Sequence, residues 1–143
     1  MKVCYLRKKD DIEYDPIILS LNMYIKNKLI EKIDEQYYCK DEVKIKDPVD
    51  VYIIFADNFR SFCELYNQIE DKSKIMLFTN NADASFIIMC LKFIKSVAYL
   101  RIKPMFCEAS KEYEKYNLIN TKRLTKSILG FIKSIEYEET LKE

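Results

Sequence analysis

The chain of 143 residues has no histidine and no tryptophan, one glycine (Gly130) and three prolines. Without histidine there is no His-based zinc site, no Ser-His-Asp triad and no phosphohistidine chemistry. One glycine cannot build a Gly-rich phosphate loop or a dinucleotide-binding fingerprint, both of which need several. No apolar run reaches the length of a membrane span. Met1 to Lys9 is a short apolar run followed by charges, not a signal peptide. The five cysteines are odd in number and contain no CxxC pair. They argue against a disulfide framework and for a reducing compartment, so a cytoplasmic location is expected.

Hydrophobic residues make up 49% of the chain and charged residues 33%, enough for a packed core under a charged surface. The 24 basic and 23 acidic side chains leave a net charge of +1, with both signs interspersed. No basic stripe is present, so no nucleic-acid partner is expected, nor a membrane partner. Tyr37, Tyr38, Tyr113 and Tyr116 read as partly buried surface side chains rather than a base-stacking platform. No linker or repeat divides the chain, and residues 1–143 are expected to form one domain.

Strand and helix signals alternate. Lys2 to Leu6 is a β-rich run. Asp15-Pro16 is a helix start, and Ile18, Leu21, Ile25 and Leu29 continue at helical spacing, predicting a helix over Pro16 to Ile33. Tyr37 to Cys39 or Val43 to Ile45 supplies a second strand. Val51 to Phe55 and Ile75 to Phe78 are continuous apolar runs, as buried parallel strands are. Phe62, Leu65 and Ile69 mark a helix between them. A very apolar helix, Asp83 to Lys95, precedes a fifth strand, Val97 to Ile102. A charged segment, Glu108 to Asn117, leads to a last helix from about Thr121. Such alternation predicts an α/β, three-layer, flavodoxin-like domain with a five-stranded parallel sheet in the order 2-1-3-4-5.

Sites in open parallel sheets form at the carboxyl ends of the strands. There the sequence places Arg7 and Lys8 after strand one, Asp57 after strand three, Thr79 after strand four and Lys103 after strand five. In VYIIFAD, IMLFTNN and VAYLRIKP this order resembles the receiver domain of response regulators. The resemblance implies a phosphoacceptor-like site of Asp57, Thr79, Lys103 and Pro104. Receivers carry an acidic, metal-holding pair after strand one. Here Arg7 and Lys8 stand in its place, Asp10 and Asp11 come later, and Arg7 and Lys8 are expected to pair with Asp57. The expectation is a degenerate receiver without a metal or cofactor, not an enzyme, acting through protein partners.

A second resemblance runs through VDVYIIFADNFRSFCELYNQIEDKSKIMLF. This strand–helix–strand stretch is similar to TIR domains and nucleoside deoxyribosyltransferases. It implies a catalytic role for Glu64 in cleaving an N-glycosidic bond. Finally, the helix Asp83 to Lys95 is apolar over roughly 200° of its circumference, about twice what one sheet contact needs. Ile87, Cys90, Leu91 and Ile94 are expected to face the sheet. Phe86, Met89 and Phe93 would then need another cover: either Glu108 to Asn117 or a second copy, in a homodimer that uses this helix and the fifth strand.

Overall fold

The computed structural model describes residues 2–28, 35–40, 50–100 and 111–142. Five strands pair in parallel: β1 (Lys2–Arg7), β2 (Glu35–Lys40), β3 (Val51–Phe55), β4 (Ile75–Thr79) and β5 (Ser96–Tyr99). Their order across the sheet is β2-β1-β3-β4-β5. Of the two candidates for the second strand, Tyr37 to Cys39 lies within β2; Val43 to Ile45 falls outside the described residues. The helices are α1 (Asp15–Lys28), α2 (Phe59–Tyr66), α3 (Ala84–Leu91) and α4 (Lys111–Lys142).

Side chains alternate across a strand, so a run that is apolar throughout must be buried on both faces. Every residue of VYIIF and IMLFT is buried. Val3, Tyr5, Val51, Ile53, Phe55, Met76 and Phe78 point to one side, where Ile17, Ile18 and Leu21 of α1 meet Leu124, Ile128 and Ile132 of α4. Cys4, Leu6, Tyr52, Ile54, Ile75 and Leu77 point to the other, against Phe62 and Leu65 of α2 and Phe86 and Cys90 of α3. Two cores on one parallel sheet make the three-layer α/β class that the alternation predicts. Phe55 anchors the first core, with ring contacts to Tyr14 at 5.5 Å and to Phe78 at 5.5 Å edge-on.

Four details differ from expectation. Asp15 is the first residue of α1 rather than the residue before it, and its carboxylate pairs with Arg7. Of the segment Glu108 to Asn117, the described residues, from Lys111 onward, already belong to α4. This run contains good helix formers and neither glycine nor proline, so nothing delays the start. The fifth strand is Ser96–Tyr99, starting one residue before the expected Val97 and ending before Leu100; Arg101 and Ile102 lie outside the described residues. The fourth difference is the rotation of α3: Phe86, Cys90 and Ile94 are buried, while Leu91 is 47% exposed. A helix apolar over roughly 200° can seat more than one arc, and the large Phe86 ring takes the sheet side in place of Leu91. Phe86 is therefore core, not interface; Met89 and Phe93 remain exposed.

Candidate functional site

The carboxyl edge of the sheet gathers β1, β3 and β4 with the loops that follow them. Arg7 ends β1 and is buried despite its charge. Its Nε donates to Asp15 Oδ1 at 2.6 Å and Nη2 to Asp15 Oδ2 at 3.0 Å, a two-pronged ion pair. Its Nη1 also donates to the carbonyls of Lys8 and Lys9, both at 2.9 Å. One guanidinium thus fixes the start of α1 and folds the loop after β1 back over the sheet edge. Lys8 reaches Glu64 Oε2 at 2.7 Å, tying β1 to α2. Arg7 and Lys8, expected to pair with Asp57, therefore bind Asp15 and Glu64 instead.

The turned-back loop carries Asp11 and Tyr14. Asp11 Oδ2 is buried and accepts no hydrogen bond among the described residues. Burial, followed by the negative charges of Glu13 and Asp57, pushes the Asp11 carboxyl up to about 6, although Arg7 acts in the opposite sense. Asp11 and Asp57 thus share one field across the edge, even though Asp11 lies several residues beyond β1. Tyr14 is fully buried and donates its hydroxyl proton to Asn80 Oδ1 at 3.0 Å. Burial is also the first cause of its raised pKa.

Asp57 and Thr79 stand at the ends of β3 and β4, as their positions in the sequence predict. Asn81 connects the two loops: its side-chain amide donates to the Asp57 carbonyl at 2.8 Å, and its backbone N–H donates to Thr79 Oγ1 at 3.1 Å. The Thr79 hydroxyl is buried and so engaged locally. The Asp57 carboxylate accepts from the neighbouring Asn58 amide at 3.0 Å, and Asn58 in turn caps α2 through Ser61 N–H at 2.8 Å. Lys103 and Pro104 lie outside the described residues.

The structure adds Asp11, Tyr14, Asn80 and Asn81 to the predicted set. The pair Asn80-Asn81 directly follows Thr79, and that adjacency was the available signal. Among the described residues no group of three or more His, Cys, Asp and Glu side chains is placed to hold a metal ion. No described helix is long and apolar enough to cross a membrane.

Glu64 sits beside this edge on α2. Oε2 meets Lys8 and Oε1 meets Arg60 at 3.2 Å, so both carboxylate oxygens are engaged. Hydrogen bonds from Lys8 and then Arg60 hold its pKa below the usual carboxylate range. No family model matches this sequence, and no curated protein matches it.

Proposed function

We propose that this domain is a degenerate, receiver-like signalling module that binds protein partners through the carboxyl edge of its sheet, without ordinary metal-dependent phosphorylation of Asp57. The observation that carries the reading is the coupling of Asp57 and Thr79 through Asn81, in an edge whose β1 end bears Arg7 rather than a carboxylate. Phosphoryl transfer to an aspartate needs a cation to neutralise the charge that develops on the transferred group. A guanidinium buried against Asp15 and two backbone carbonyls fills the β1 end of the edge. The polar groups left there, Asn80, Asn81, Asp57 and Asp11, suit hydrogen-bonded recognition of another chain.

Incubation with magnesium and acetyl phosphate should leave the intact mass unchanged. A stable, magnesium-dependent phosphoryl adduct that is absent in Asp57→Asn would overturn the reading. In parallel, NAD and deoxynucleotides should yield no free base. Base release that is lost in Glu64→Gln would transfer the assignment to N-glycosidic cleavage.

A further inference from the structure

We draw no further inference here: the strongest candidate, the cavity of about 180 Å³ at the amino edge of the sheet, with an apolar floor of Val51, Ile132 and Ile135 and a rim of Asp50, Glu136 and Glu139, carries nothing, because its polar side is an acidic cluster and no second feature among the described residues points to the ligand it would take.

Discussion

Replacing Arg7 with methionine tests how the carboxyl edge is organised. Methionine keeps most of the apolar stem but removes, among the described residues, four hydrogen bonds, two of them to Asp15 and two to the carbonyls of Lys8 and Lys9. Breaking a buried pair by deleting one partner typically costs about 3–5 kcal/mol. Asp15 retains 39% side-chain exposure and can rehydrate, which lowers the expectation to about 2–3 kcal/mol. For a domain of this length that corresponds to roughly 6–12 °C in Tm. Arg7→Lys keeps the charge but not the fork, and should recover about half of the loss. An internal control is Glu138→Gln, which breaks the exposed Lys95–Glu138 pair and should cost less than about 0.5 kcal/mol. Urea denaturation of the three variants, read at constant m, gives the values. Arg7→Met within about 0.5 kcal/mol of wild type would refute the claim that this guanidinium organises the loop.

The parts of the fold that were legible are those where a local pattern had one solution. A five-residue run such as VYIIF, apolar at every position, fits a strand buried on both faces and little else. The separating helices then force parallel pairing. The orientation of α3 was legible only in part: Cys90 and Ile94 are buried and Ile87 packs on the core as expected, but an apolar arc of roughly 200° leaves open which neighbour joins them, and Phe86 does so rather than Leu91. The start of α4 was hidden for a different reason. Charge and tyrosine in Glu108 to Asn117 suggest a surface segment, but solvent-facing helical turns have the same composition. Asp57 and Thr79 were placed correctly at the ends of β3 and β4 because strand ends are easy to locate in an apolar run. The partners of Arg7 were not. Whether a strand-end arginine turns toward the neighbouring strand or toward its own loop depends on three-dimensional hydrogen-bond acceptors, here the Lys8 and Lys9 carbonyls. The same turn brings Asp11 into the field of Asp57, a proximity that sequence spacing alone argued against.

Two further outcomes follow from single residues. Gly130, the one glycine in the chain, is exposed inside α4, and a Cβ added there would meet nothing within 4 Å. Gly130→Ala should therefore stabilise the protein by about 1 kcal/mol in thermal or urea denaturation, and a loss of stability would show that this face needs the missing side chain. Asp11 gives the opposite kind of test, a dependence on pH. Its carboxyl titrates near 6 in the folded chain and at the ordinary value of 3.8 when unfolded. Between those values the folded state binds more protons than the unfolded one, so stability falls as pH rises through this window and stays lower above it. Asp11→Asn removes the titrating group and keeps its shape. The variant should be more stable than wild type at about pH 7, and the gap should close toward about pH 4, where the wild-type carboxyl is largely protonated in the folded state. Asp11 is partly exposed, so solvent screens the effect and the gap at neutral pH should be modest. Paired urea titrations across this range decide the matter. A gap that is absent at neutral pH, or that widens on acidification, would mean that Asp11 does not carry a charge disfavoured by burial and by its acidic neighbours Glu13 and Asp57.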